Sequence, residues 1–357
     1  MIGVRVVRAL RWRAVLTLSV VGGLLAGCGS GAGEGTGSGS GKGDGSGRNS
    51  VIGSAKGPSA APSALASGMG SDTGTDGVFP RTVTHFEGRT TVRSAPKRIA
   101  VLSTGQLDDL LSLGVVPTAA TRADNAGLVP DYLADAFPRD KKQLATMTDA
   151  GTRQAPNLES LAAAKPDLIL VNDSLGDLYP KLSKIAPTVV TAGNGVNWKR
   201  DLLLVGDAVG RGKQAQRMID DIAADAEQSG RALSGSTTVS MLRFTPGRTR
   251  MFGVSSFTGS IAVDMGLTRP ESQQFKAISQ DISTERIDTA DGDWIFYSVQ
   301  GDPGKTDADS VLAGPLWKSM KAVGAGHAVR VDDDPWYLNA GPTAARLVVR
   351  QLSEHLR

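Results

Sequence analysis

The chain has 357 residues, 40% hydrophobic and only 5% aromatic, with 39 Lys and Arg against 36 Asp and Glu and a formal charge of +3. Residues 1–27 hold four of those bases and no acid, so the remainder carries 35 bases against 36 acids. That balance gives no electrostatic case for a nucleic acid or a polybasic membrane contact. A single cysteine, Cys28, excludes an internal disulfide framework and a cysteine-rich zinc site.

Arg5, Arg8, Arg11 and Arg13 open the chain, an apolar run follows over residues 14–25, and the small residues Ala26 and Gly27 precede Cys28. A positive segment, a short apolar core and small residues make a secretory signal peptide over residues 1–27, its core too short for a comfortable membrane span. Leu25-Ala26-Gly27-Cys28 resembles the lipobox of bacterial lipoproteins, which implies cleavage after residue 27 and a diacylglycerol on Cys28. Such an anchor places the protein on the extracytoplasmic face of the cell membrane. Residues 28–80 are rich in Gly, Ser, Ala and Pro, a composition that buries too little apolar surface to offset chain entropy. They are expected to form a disordered tether with an r.m.s. span of roughly 40 Å. The alternating glycines of this tract never give G-x-G-x-x-G, and Gly304-Lys305-Thr306 has Val299 where a phosphate loop needs glycine. Both observations argue against nucleotide binding.

The rest of the chain is long enough for two cores, read as a lobe over 81–200, connecting helices over 201–231 and a second lobe over 232–357. The stretch TVTHFEGRTTVRS (82–94) reads as a β-hairpin turning at Glu87-Gly88. Residues 98–102 form a strand, 106–113 a helix stopped by Gly114, and 115–117 begin the next strand. Residues 157–164 are a helix with Asn157 as N-cap, and the continuously apolar 167–171 is a buried strand. A helix around 179–185 and a strand at 188–190 follow. Strands alternating with helices define an α/β layer with a largely parallel sheet.

NLESLAAAKPDLILV (157–171) aligns without a gap on STERIDTADGDWIFY (283–297), placing Glu159 on Glu285, Asp167 on Asp293 and Ile169 on Ile295. A duplicated helix–strand unit predicts two similar α/β lobes. Between them, Gly210 and Gly212 divide a helical stretch in two. The second helix carries Met218, Ile219, Ile222 and Ala226 at helical spacing, and at roughly 28 Å it is long enough to bridge the lobes. A single helix resists bending more than extended crossing strands, so lobe closure is expected to be small.

Signal peptide, lipobox, tether, paired lobes and bridging helix together resemble the solute-binding lipoproteins of ABC importers, in the group that binds iron–siderophores and cobalamin. The carriers are PKRIAVLS, RQAPNLESLAAAKPDLILV, LRFTP with FTGSIAVDMGL, STERI and the closing GPTAARLVVRQL. The resemblance covers the chain from Arg81 onward. It implies two similar α/β lobes with largely parallel sheets joined by one long helix, with the ligand cleft between them. It also implies a monomer that passes a ferric siderophore to a permease dimer. In this family an arginine just before the P-N-L-E helix points into the cleft, and Arg153 holds that place; outside the family context it would read as a solvated loop arginine. Arg243 lies inside the apolar strand Met241-Leu242-Arg243-Phe244, where a charge must be paired or face a polar cleft; its position in the family indicates the ligand. Guanidinium forks suit adjacent hydroxamate or catecholate oxygens. Trp336 and Tyr337 would supply an apolar wall and a phenol donor. Phe257 is a further ligand candidate, whereas Trp198 reads as core. Glu159 and Glu285, ordinary first-turn carboxylates in isolation, are implied to dock the two halves of the permease.

His85, His327 and His355 are scattered, and Asp332-Asp333-Asp334 reads as a solvated cluster, so no metal site is expected. Fe(III) would be carried within the siderophore, with no cofactor bound directly. No nucleophile elbow, H-E-x-x-H motif or cysteine nucleophile is present outside the lipobox, so an enzyme is not expected. Two cleft arginines without a dense basic cluster fit a hydroxamate better than a triscatecholate. Cobalamin and haem are the alternative cargoes: haem wants an axial ligand, for which Tyr337 is the evident candidate, and cobalamin needs fewer cleft charges.

Overall fold

The computed structural model describes residues 61–124, 126–233 and 237–357; the signal segment and Cys28 lie outside the described residues. The first strands are β1 (Gly70–Ser71), β2 (Arg81–His85) and β3 (Gly88–Val92). β2 and β3 form the expected hairpin, with Thr82 opposite Thr91, and Gly88 turns it at a φ of 127° that glycine tolerates.

Residues 61–80, assigned by composition to the tether, are instead docked on the fold. Ser71 donates to the Asp207 carboxylate through its amide and hydroxyl at 2.5 and 2.9 Å. Asp76 accepts the amides of Lys213 and Gln214 at 2.9 and 3.3 Å, capping the first turn of a long helix. The buried Arg81 guanidinium is satisfied by the carbonyls of Thr75, Val78 and Asp207. Composition measures apolar area and is blind to this polar bracing.

The N-terminal lobe is built on β4 (Ile99–Val101), β5 (Ala119–Arg122), β6 (Thr148–Thr152), β7 (Leu168–Asn172) and β8 (Thr188–Thr191). The sheet is wholly parallel in the order β6-β5-β4-β7-β8. β5 begins after the expected 115–117 because Pro117 has no amide to donate; the bonding to β4 starts at Thr118, whose amide reaches the Ile99 carbonyl at 2.8 Å.

The C-terminal lobe holds β9 (Val239–Thr245), β10 (Arg248–Phe252), β11 (Ser279–Ile282), β12 (Trp294–Val299) and β13 (Ala328–Arg330), in the order β11-β10-β9-β12-β13. Here β9, β12 and β13 are parallel but β10 and β11 run antiparallel. The cause is local: only Pro246 and Gly247, the latter at φ 69°, separate β9 from β10, and so short a link permits only a hairpin.

The duplicated unit occupies the same place in both sheets. β7 and β12 each lie beside the central strand, with Ile99 opposite Leu168 and Val239 opposite Trp294. The paired aspartates do the same task. Asp167 accepts the amides of Lys97 and Arg98 at 2.9 Å each, just ahead of β4; Asp293 accepts the amide of Thr238 at 2.8 Å, just ahead of β9. The copies differ at the helix. Asn157 caps Leu158–Ala163 through the amides of Glu159 and Ser160, whereas Thr284–Ala290 has no side-chain cap and is a 3-10 segment kinked at Arg286.

The bridging helix Gly212–Arg231 enters both cores: Ala215 and Ile219 pack with the N-terminal lobe, Ile222 and Ala226 with the C-terminal one. The helix before it, Trp198–Ala208, crosses too. Leu202 to Val205 belong to the first core, while Trp198 packs in the second, as its sequence position suggests. Lys199 pairs with Asp264 at 2.6 Å. A further tie runs from Asp108, which accepts the amides of Thr343 and Ala344 at 3.0 Å each at the start of the closing helix Pro342–His355. A Cβ on Gly341 would lie 2.5 Å from that of Asp108, so only glycine permits this approach.

Two buried carboxyls near these crossings make stability depend on pH. Burial, then the neighbouring Asp108 and Asp201, push Asp109 well above the ordinary carboxyl value, and its Oδ1 has no hydrogen-bond partner. Burial raises Asp201 to about 7, against the amides of Ala192 and Gly193 and the charge of Arg200. The unfolded chain releases these protons near pH 4, so above that it binds fewer protons than the fold, and stability falls as pH rises. His85, lowered to about 4 by burial, works in the opposite sense below about pH 6.5. Between about pH 6.5 and 8 the carboxyls dominate, and the thermal midpoint should drop. Asp109→Asn should raise the midpoint at pH 8 and flatten the slope; an unchanged slope in thermal scans would contradict the assignment.

Candidate functional site: the cleft between the lobes

In parallel α/β sheets, ligands bind beyond the carboxyl ends of the strands. The N-terminal sheet directs those ends toward a cleft of about 600 Å³, whose other side is lined largely by β9 and β10 of the mixed C-terminal sheet. Thr104 follows β4, Arg153 follows β6 and Asn172 ends β7 on one side; Arg243 from β9, Arg250 and Phe252 from β10 form the other.

Arg153 reaches across to the opposite lobe. Its Nη1 donates to the Leu338 carbonyl at 2.9 Å and to Thr104 Oγ1 at 3.3 Å, and its Nη2 to Asn339 Oδ1 at 2.7 Å. Nε is buried without a partner. Burial pulls this guanidinium below its ordinary pKa, with Tyr132 and Asp334 acting the other way.

Arg243 fulfils both readings its sequence context allows, since it lines the cleft and is paired. Nε and Nη2 donate to the two oxygens of Asp333 at 2.7 and 2.6 Å, and Ser298 Oγ also donates to Asp333 at 2.6 Å. The expected solvated cluster at 332–334 is therefore corrected. The Asp333 side chain is only 12% exposed, and burial, then Asp332 and Asp333, raises Asp334 to about 6. One wide, π-helical turn over Asp334–Leu338, closed by the Asn339 amide on the Asp334 carbonyl at 2.9 Å, follows Asp333.

The aromatic expectations need larger correction. Trp336 is fully buried, stacked 5.2 Å from Phe296, with Nε1 donating to Gln351 at 2.6 Å. It fills the core under the closing helix and is absent from the cleft. Phe257 is also core, 5% exposed with its ring edge-on to Trp198 at 5.5 Å. Tyr337 does line the cleft, but its hydroxyl donates to the Phe296 carbonyl at 3.2 Å, so it offers a ring face and not a free phenol. Phe252, 4.6 Å from Tyr337, completes that wall.

Arg250 is the cleft arginine the sequence reading misses. It is the register partner of Arg243 across β9 and β10, and directly paired residues share a sheet face. The alternation Arg248-Thr249-Arg250-Met251-Phe252 is the signal that could have found it. Glu159 and Glu285 lie outside the cleft, exposed and without a salt bridge among the described residues. Within the described residues no three His, Cys, Asp or Glu cluster to hold a metal, and no helix is long and apolar enough to cross a membrane.

Two α/β lobes that face each other across a polar cleft, with a helix running through both cores, define a bilobal solute-binding protein. The chain belongs to the periplasmic binding protein family, whose sequence profile matches residues 99–335. It is 32% identical over 292 residues to the probable siderophore-binding lipoprotein YfiY of Bacillus subtilis, covering 77% of this chain and 87% of that protein. It is 26% identical to YhfQ of the same organism, a putative ABC transporter substrate-binding lipoprotein, over 77% of this chain and 88% of the relative. The fold matches SirA of Staphylococcus aureus in complex with staphyloferrin B, with a TM-score of 0.66, 27% identity, and coverage of 77% of this chain and 98% of SirA. The fold and relatives are those of siderophore-binding proteins of ABC importers, which bind their ligands and are not enzymes.

Proposed function

We propose that this protein captures a ferric siderophore, of the hydroxamate type, and delivers it to an ABC permease for iron uptake. It works as a monomer held on the outer face of the cell membrane by lipid on Cys28. The observation that carries this reading is the meeting of Arg153 and Arg243 from opposite lobes across one cleft. Around them, Ser103, Thr104, Asn172, Asn194 and Gln300 supply neutral polar groups, a mixture suited to the oxygen-rich surface of a chelate with modest charge. Iron keeps the chelator's own ligands, and the protein acts on the outer oxygens. Haem is disfavoured because the lining residues include no His, Cys or Met and the Tyr337 hydroxyl is engaged. Three arginines likewise argue against cobalamin.

Cells lacking the gene should lose uptake of radioactive iron supplied as a ferric trihydroxamate and regain it on complementation; uptake unchanged by the deletion would contradict the proposal. Cys28→Ser should move the protein from the membrane fraction to the soluble extracytoplasmic fraction, because two or three acyl chains hold stably and none holds at all. Persistence of the serine variant in washed membranes would refute the anchor.

A further inference from the structure

The three cleft guanidiniums do not present equal free charge. Arg153 donates only to neutral acceptors, a carbonyl, a hydroxyl and an amide oxygen, although the Asp334 carboxyl acts on it without a hydrogen bond. Arg250 stands 3.6 Å from Asp281, which Arg248 already holds through two hydrogen bonds. Arg243 alone of the three hydrogen-bonds a carboxylate, and does so with two nitrogens, its side chain 8% exposed against 12% for Asp333. Asp333 takes Nε and Nη2, while Nη1 makes no hydrogen bond among the described residues. Ser298 fixes the acid from a neighbouring strand.

We propose that Asp333 sets the charge selectivity of the cleft, holding the Arg243 fork in place while cancelling its charge, so that ferric chelates of low net charge are accepted and trianionic ones disfavoured. This rests on the siderophore reading. A bidentate pair leaves Arg243 able to donate directionally from Nη1 to a neutral ligand oxygen. To an approaching anion, the pair attracts and repels in nearly equal measure. Asp124, which also lines the cleft, lowers the positive potential further. Removing the Asp333 charge therefore adds one unit of positive charge beside the ligand without removing any arginine.

The test is a titration of the whole protein with two probes, a neutral ferric trihydroxamate and a trianionic ferric tris-catecholate, at fixed pH and salt. Asp333→Asn should raise affinity for the trianion relative to the neutral chelate by about tenfold or more, given the Coulomb energy of one added charge at this range. Arg243→Gln, which leaves Asp333 unopposed, should shift the same ratio the other way by about as much. The double variant has no unpaired buried charge, so it carries the test if a single variant fails to fold. Its ratio should return to that of the parent. A ratio unmoved by Asp333→Asn, or a double variant that behaves like Arg243→Gln, overturns the proposal. A parent protein that binds neither chelate overturns the siderophore reading and this inference with it.

Discussion

Replacing Glu159 and Glu285 together by arginine should abolish uptake of the ferric ligand while leaving its affinity and the fold intact. Each carboxylate is exposed and takes part in no salt bridge among the described residues, so neither is needed for stability beyond a first-turn interaction worth a few tenths of a kcal/mol, up to about 1 kcal/mol. Each precedes an equivalent strand, β7 or β12, set beside the central strand of its sheet. The repeat places one exposed carboxylate on each lobe, which suits a permease made of two like halves with one basic pocket apiece. Charge reversal converts both contacts from attraction to repulsion. Transport of radioactive iron in cells reads the effect, and calorimetric titration reads affinity. A double variant that transports normally, or one that no longer binds ligand, would show that these residues serve another purpose.

Arg153→Ala should weaken binding of the ferric chelate by about 1.5–3 kcal/mol, the worth of a hydrogen bond to a charged group, or roughly ten- to hundredfold in Kd. Arg153 is the cleft arginine met only by neutral acceptors, and its buried Nε has none. An anionic or strongly polarised ligand oxygen would satisfy what the protein leaves unmet. Arg243→Ala should weaken binding by at least as much, since it also leaves Asp333 unpaired in a largely buried place. Iron-free chelator should respond less to either change, because only the metal complex presents a preformed cluster of oxygens. Parent-like affinity in both alanine variants would show that ligand binds elsewhere.

Much of the architecture is readable from local pattern. The hairpin around Gly88, the Asn157 cap, the apolar run that becomes β7 and the two-part crossing helix all follow from spacing and turn residues. The antiparallel β10 is readable too, from the Pro246-Gly247 link, although alternating strands and helices suggest a parallel sheet. The docked segment 61–80 is harder to see, because it depends on Asp76 meeting a helix start more than a hundred residues away.

The site divides along the same line. Arg153 is marked by its neighbours, immediately ahead of a capped helix. Arg250 becomes visible only when β10 is known to pair with β9. Asp333 is invisible locally, since its role lies in a pairing with Arg243 across 90 residues. Trp336 and Phe257 fail as cleft residues because both lie in positions whose burial is decided by packing, one beneath the closing helix and the other against Trp198.

Recognition of a ferric siderophore by this cleft is read most directly from binding itself. Among the described residues no tryptophan lines the cleft, so calorimetry is a surer probe than intrinsic fluorescence. Titrating the purified protein with a ferric trihydroxamate, its iron-free form, cobalamin and haem should give saturable, one-to-one binding of the ferric chelate and far weaker binding of the other three. Tight binding of cobalamin or haem, with no heat from the ferric chelate, would contradict the account.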